Sequence, residues 1–276
     1  MNKKNGTSDE RLLKSPTPEQ AAFLHSDPWR VLRIQSEFVR GFDALANLGP
    51  AVTIFGSART HPDDPMYLAT VETGRLLGNA GFAIITGGGP GIMEAGNKGG
   101  HEAGVHSVGL NIELPFEQHI NPYTDIEVEF RYFMVRKTML VKYAQAFVIF
   151  PGGFGTLDEL MEAITLIQTG KIRNFPVVLF GKSYWQGLID WLQSTVLDAG
   201  NIGASDMDLM LVTDSPEEVR DVILAAMEGK SRQAVHEEAA RRETARVYAG
   251  YAAADELDLE SGLRFVAPDS EEAPTE

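Results

Sequence analysis

The chain contains no cysteine, which excludes disulfides, thiolate metal sites and thiol catalysis. It also lacks any apolar run of the roughly 18 residues needed to span a bilayer. The opening stretch, MNKKNGTSDERLLKSPTPEQ, is polar and has no apolar core of a secretory signal. A cytoplasmic protein is the expectation. The six histidines show no H-x-x-x-H or HExxH spacing, so no metal site is expected. Basic charge is scarce: 24 Lys and Arg stand against 39 Asp and Glu, for a net charge of −15. Neither nucleic acid nor an anionic membrane is therefore an expected partner. The deficit is uneven. Residues 252–276 hold eight acids and one arginine, a net −7, which leaves −8 for the remainder. That acidic, proline-containing end reads as a solvated tail.

What is present is a repeating pattern. A length of 276 residues with 43% hydrophobic content suits one α/β domain with extensions. Val31, Ile34, Phe38, Phe42 and Leu45 recur at helical spacing before a Gly49-Pro50 stop. Short apolar runs then alternate with helical patterns: AVTIFGS (51–57), FAIITGG (82–88), HSVGLNI (106–112), DIEVEF, AFVIF (146–150), PVVLF (176–180) and LMLV (209–212). Strands that are apolar throughout, separated by helices, predict a parallel sheet covered on both faces, a Rossmann-like doubly wound α/β fold. The expected layout is a disordered segment 1–16, a helical extension 17–49, the α/β domain 50–230, a helix 231–250 and a disordered acidic tail 251–276.

Three glycine-bearing segments follow expected strands: Gly56-Ser57, Gly87 to Gly91, and Gly152-Gly153-Phe154-Gly155. Open sheets of this type bind ligands beyond the carboxyl ends of their strands. A dinucleotide fingerprint is absent, because the sixth position falls on Ile92, Glu94 or Asp158 in the three available frames. A P-loop is absent too, since the GKS at 181–183 has Pro176 where its first glycine belongs. Glycine turns that open helices still present backbone N–H groups at a positive helix end, which suits a monophosphate. Within PGGFGTLDE, Thr156 and Glu159 also have the S/T-x-x-E spacing of a capping box. Capping and chemistry are both open readings of Glu159. Arg136 lies among Tyr132, Met139, Leu140 and Tyr143, which fits either a buried structural arginine or a ligand contact. Adjacent Lys137 would point about 100° away on a helix.

The stretches TGGGPGIMEAGNKGG, MVRK and PGGFGTLDE, in this order and spacing, resemble the LONELY GUY family of cytokinin riboside 5′-monophosphate phosphoribohydrolases. The likeness covers roughly residues 50–230 and looks most like the larger bacterial branch; plant members carry MHxRK where this chain has FMVRK. The resemblance implies hydrolysis of the N-glycosidic bond of AMP or an N6-prenylated AMP, with no cofactor. It implies Arg136 and Glu159 as catalytic groups. It implies Ser57, Gly88, Gly89, Glu94, Met134, Lys137, Gly152, Gly153, Gly155, Thr156 and Thr165 as the substrate-binding set. Glu117 and Gln118, in the polar loop 113–123, are candidates to cover the base. Family members pair through helices near the site, so a homodimer, or a hexamer of dimers, is expected. The alternative is a non-catalytic nucleotide or molybdenum-cofactor carrier of the same fold; a pure binder, however, needs no carboxylate beside an anion.

Overall fold

The computed structural model describes residues 26–114, 120–228 and 232–260. The expected segment 1–16, residues 17–25 of the expected helical extension, residues 261–276 of the expected 251–276 tail, and Glu117 and Gln118 lie outside them. Helix α1 (Asp27–Leu45) precedes β1 (Ala51–Phe55), α2 (Pro65–Asn79), β2 (Ala83–Thr86), α3 (Ile92–Glu102), β3 (Ser107–Ile112) and β4 (Ile126–Phe130). Then come α4 (Phe133–Lys142), β5 (Ala144–Ile149), α5 (Phe154–Gln168), β6 (Val177–Phe180), α6 (Lys182–Trp191), β7 (Met210–Thr213), α7 (Pro216–Met227) and α8 (Arg232–Glu260).

All seven strands run parallel, in the order β4-β3-β2-β1-β5-β6-β7. The chain winds outward from β1 to one edge, then restarts on the other side at β5. The switch point therefore lies between β1 and β5. Strands β1, β2, β3 and β6 are buried at every position, as parallel strands under two helical layers must be. Val52, Ile54, Ile84, Val148 and Phe180 pack on one face with Leu77 of α2, Ile92 of α3, and Val219 and Ile223 of α7. The other face carries α1, α4, α5, α6 and α8 through Leu45, Met139, Leu160, Trp185 and Ala240.

Several boundaries differ from the sequence reading for local physical reasons. The helix expected over 184–198 is α-helical only to Trp191 and continues as a π-turn over Leu192–Leu197. A 3-10 turn at Ala204–Leu209 was not anticipated. The last helix runs to Glu260, ten residues past its expected end near 250 and into the segment expected to be a disordered tail; it passes through Gly250, and the helix-forming Ala, Glu and Leu that follow sustain it. On α1, the apolar residues at helical spacing are only partly inward. Leu45 is buried, but Val31 is 52% exposed and Phe42 38%, because α1 rests on α4 and the edge strand β4 rather than on the full sheet.

Candidate functional site

Three strand-end segments meet at the switch point. The Ser57 N–H, just after β1, donates to the Pro151 carbonyl after β5 at 2.9 Å. The Ile92 N–H, opening α3, donates to the Ser57 carbonyl at 3.0 Å. This close approach depends on glycine. Gly91 has φ +67°, and a Cβ there would stand 2.4 Å from the Ser57 oxygen. A Cβ on Gly152 would fall 2.1 Å from Thr156 Oγ1. Gly153 and Gly155 instead border open space, so their backbone is what a ligand meets there.

The PGG turn changes the reading of the motif that follows. Helix α5 is capped by Gly153, not by Thr156, and no side chain caps it. Thr156 lies inside the first turn, with its N–H donated to the Gly153 carbonyl at 3.0 Å. The capping-box reading is thereby corrected: the Gly152-Gly153 pair starts the helix three residues earlier than a threonine cap would. Glu159 is then a mid-turn residue facing inward, 3% exposed. The Thr156 amide, expected to serve a phosphate, is already committed. Among the described residues, the amides of Gly153, Phe154 and Gly155 have no such partner, and they lie at the positive end of α5.

Arg136 on α4 and Glu159 on α5 face each other, Arg136 Nη2 to Glu159 Oε1 at 3.8 Å, with 15% and 3% of their side chains exposed. That separation is an ion pair too long to be a hydrogen bond. Arg136 Nε and Glu159 Oε2 are both buried without a hydrogen-bond partner among the described residues. Such orphaned buried groups are rare in folded proteins and costly to keep. Burial pushes the Glu159 carboxyl up to about 7, against the opposing pull of Lys137 and Arg136. Burial also lowers the Arg136 guanidinium from its ordinary value, with Glu159 and Asp158 working the other way. The guanidinium lies 5.1 Å over the Phe133 ring and close to the first glycine loop, where a Cβ on Gly87 would be 4.0 Å from Nη1. One cation, one carboxyl of near-neutral pKa and two glycine turns thus converge at one point.

Lys137 turns away, as its helical phase requires. Its Nζ meets Glu162 at 2.5 Å and Asp158 at 2.9 Å. Burial alone would lower this ammonium, but the hydrogen bonds to Glu162 and Asp158 hold it above its ordinary value. It lines a groove of about 580 Å³ between α4 and α5, together with Met134, Asp158, Met161, Glu162 and Thr165. The structure therefore divides the candidate set. Arg136, Glu159, Ser57, Gly89 and Gly152 to Thr156 gather at the switch point, while Met134, Lys137 and Thr165 lie on the neighbouring groove. Thr165 Oγ1 is committed to the Met161 carbonyl at 2.7 Å. Glu94 accepts a hydrogen bond from Tyr67 of α2 at 2.9 Å. Ser57 Oγ accepts from the Arg59 N–H at 3.0 Å. The Gly88 N–H is already donated to Thr86 Oγ1 at 2.9 Å, so Gly88 shapes the loop rather than offering a donor.

Two supports escaped the sequence reading. Tyr184 on α6 donates its hydroxyl to the Gly152 carbonyl at 2.6 Å. Glu37 on α1 accepts from the N–H groups of Arg131 (3.2 Å) and Tyr132 (3.3 Å), at the entry to the helix that carries Arg136. Nothing local marks either residue, since each acts on a segment far away in sequence.

A family model described as "Possible lysine decarboxylase" matches residues 93–223. A protein of Oryza sativa subsp. japonica, named a "Probable cytokinin riboside 5'-monophosphate phosphoribohydrolase", is 30% identical over 176 residues, covering 62% of this chain and 76% of that protein. An Arabidopsis thaliana cytokinin riboside 5'-monophosphate phosphoribohydrolase is 32% identical over 150 residues, covering 54% and 68% respectively. A solved molybdenum cofactor carrier protein from Chlamydomonas reinhardtii superposes with a TM-score of 0.49 at 23% identity, covering 65% of this chain and 98% of that one.

Proposed function

This chain belongs to the family of cytokinin riboside 5′-monophosphate phosphoribohydrolases, and from that premise we propose that it hydrolyses the N-glycosidic bond of adenosine-type nucleoside 5′-monophosphates. Water supplies hydroxide to C1′ and a proton to the departing base; the products are adenine, or an N6-prenylated adenine, and ribose 5-phosphate. The observation that carries the reading is the buried Arg136–Glu159 pair at the switch point, with one polar atom of each left unsatisfied. A ligand that completes those hydrogen bonds would gain what the free protein lacks.

Cleavage of this bond passes through an oxocarbenium-like ribose. Ionised Glu159 would stabilise that charge from a site of low dielectric, where electrostatic stabilisation is strongest. Its pKa of about 7 also suits it to take a proton from the attacking water at neutral pH. Arg136 would hold the phosphate or a ribose hydroxyl, and the amides of Gly153, Phe154 and Gly155 would cradle the phosphate. Fixing the remote 5′-phosphate lends binding energy to the reacting carbon. Lys137 sits between two carboxylates and stays an ammonium, which is unsuited to Schiff-base chemistry of the kind the decarboxylase description would need.

The groove between α4 and α5 is lined by exposed apolar side chains, Met134 at 59% and Met161 at 38%. Single exposed apolar residues are ordinary, but a cluster marks an interaction site. Pairing of two copies across this groove is part of the proposal.

Incubation with AMP, with adenine followed by chromatography, is the direct test. The wild type should release adenine, and Glu159→Gln should lose about 100-fold or more of the rate. Tight AMP binding with no adenine release would favour the carrier alternative, and full turnover by Glu159→Gln would remove Glu159 from the mechanism.

A further inference from the structure

The first glycine loop is held by a ring of buried side chains that the proposed chemistry does not use. Asn97 on α3 is fully buried. Its Oδ1 accepts from Thr86 Oγ1 at 2.5 Å and from Asn121 Nδ2 at 2.9 Å. Its Nδ2 donates to Ser107 Oγ at 2.9 Å and to the Val108 carbonyl at 3.1 Å. Asn121, 5% exposed, lies in the connection between β3 and β4. Its Nδ2 donates also to the Gly89 carbonyl at 3.1 Å, and its backbone N–H donates to the Gly88 carbonyl at 2.9 Å. Thr86 Oγ1 closes the ring by accepting the Gly88 N–H. The chemistry of the ring requires asparagine twice, because each amide both donates and accepts; an aspartate could do only the second.

We infer that Asn121, anchored on Asn97, is a positioning residue that sets the polarity of the glycine loop. In a trans peptide the carbonyl and the N–H point in opposite directions. Tying the Gly88 carbonyl inward to Asn121 therefore aims the Gly89 N–H outward, toward the switch point. The Gly89 carbonyl is drawn inward by the same side chain. Two carbonyl dipoles that would repel a phosphorylated ligand are thus turned away from it, and a donor is presented in their place. Glycine backbone flips readily without such restraint. The inference rests on the nucleotide-site reading above, but it concerns binding and not hydrolysis.

The test uses the full chain with ribose 5-phosphate as probe, measured by calorimetry, alongside AMP kinetics. Asn121→Ala removes the side-chain ties, and Thr86→Val removes the acceptor of the Gly88 N–H at nearly constant shape. Each should weaken ribose 5-phosphate binding and raise the KM for AMP by about tenfold, with kcat changed less than threefold, the pattern of lost uniform binding. The double variant should be little worse than either single one, since both ties hold the same glycine turn on either side of Gly88. Binding within twofold of wild type in both single variants, or losses that multiply in the double, would overturn the inference. A wild type that binds neither probe would overturn it too. Should Asn121→Ala fail to fold, Asn121→Asp keeps the Oδ1 that accepts from the Tyr123 N–H and removes the Nδ2 donors; its binding decides in the same way. Ribose 5-phosphate binding without adenine release from AMP would sink the hydrolase reading while leaving this inference intact.

Discussion

Glu159 shows how a single side chain can be held in a state that the fold itself disfavours. Its carboxyl has an ordinary value of 4.5 and is raised to about 7 by burial, so the native state favours the protonated form. Its stabilising contribution is fully present below about pH 4.5 and is lost as pH rises through about 7. The gap corresponds to about 3 kcal/mol, an upper figure for the penalty at pH 8. Urea titrations at pH 5.5 and 8 should therefore show wild type losing stability across that window, and Glu159→Gln losing much less. Parallel pH profiles would show that Glu159 is not the group responsible. Arg136 is tested in the same region: Arg136→Lys keeps the charge but loses the planar donor fork and the orphaned Nε. We expect kcat/KM for AMP to fall by about 100-fold, with the unfolding midpoint little changed; unaltered kinetics would assign Arg136 to packing. At this scale the sequence left two readings of Glu159 open, and the helix start removes one of them. Spacing alone allowed Thr156 and Glu159 to be a cap, whereas the glycine pair before them had already begun the helix.

The pair of helices α4 and α5 carries the site on one side and a groove on the other. A helix with 3.6 residues per turn cannot point Arg136 and Lys137 the same way, and the structure sends the first to Glu159 and the second to Asp158 and Glu162. The helical phase was legible in the sequence. Which side would face the neighbouring helix was not, because that depends on how α5 packs beside α4. If two copies pair across the groove, a charge at Met161, which is 38% exposed and lines the groove, should separate them. Met161→Glu is expected to be monomeric by light scattering at concentrations where wild type is dimeric; an unchanged mass would place the interface elsewhere. Helix α1 carries a related lesson. Its apolar periodicity marked a helix, but Glu37 is the residue on it that braces α4, and Val31 and Phe42 stay exposed.

Across the whole molecule, the C-terminal helix α8 is tied to the domain by carboxylates as well as by the buried Ala240. Glu237, 7% exposed, accepts from the N–H groups of Asn174 at 2.5 Å and Phe175 at 2.9 Å, just before β6. Glu237→Ala would leave two backbone donors without their partner, at a cost of about 1–3 kcal/mol. Chemical denaturation should register that loss, with AMP turnover by the folded fraction unchanged because the site lies at the opposite ends of the strands. A loss below about 0.5 kcal/mol would mean that water replaces the carboxylate without penalty.

Strand–helix alternation, wholly apolar strands and the glycines at their ends determined the parallel sheet and the end of it at which the glycine turns gather. These are local properties, written in periods of two and 3.6 and in residues without side chains. The tertiary structure decided what no period encodes: that Glu159 faces Arg136 and not its own helix end, that Lys137 is neutralised by α5, and that Asn121 reaches back to Gly89 across 32 residues of chain. Each of these depends on a contact between distant segments, and such a contact exists only once the sheet has closed its two layers around it.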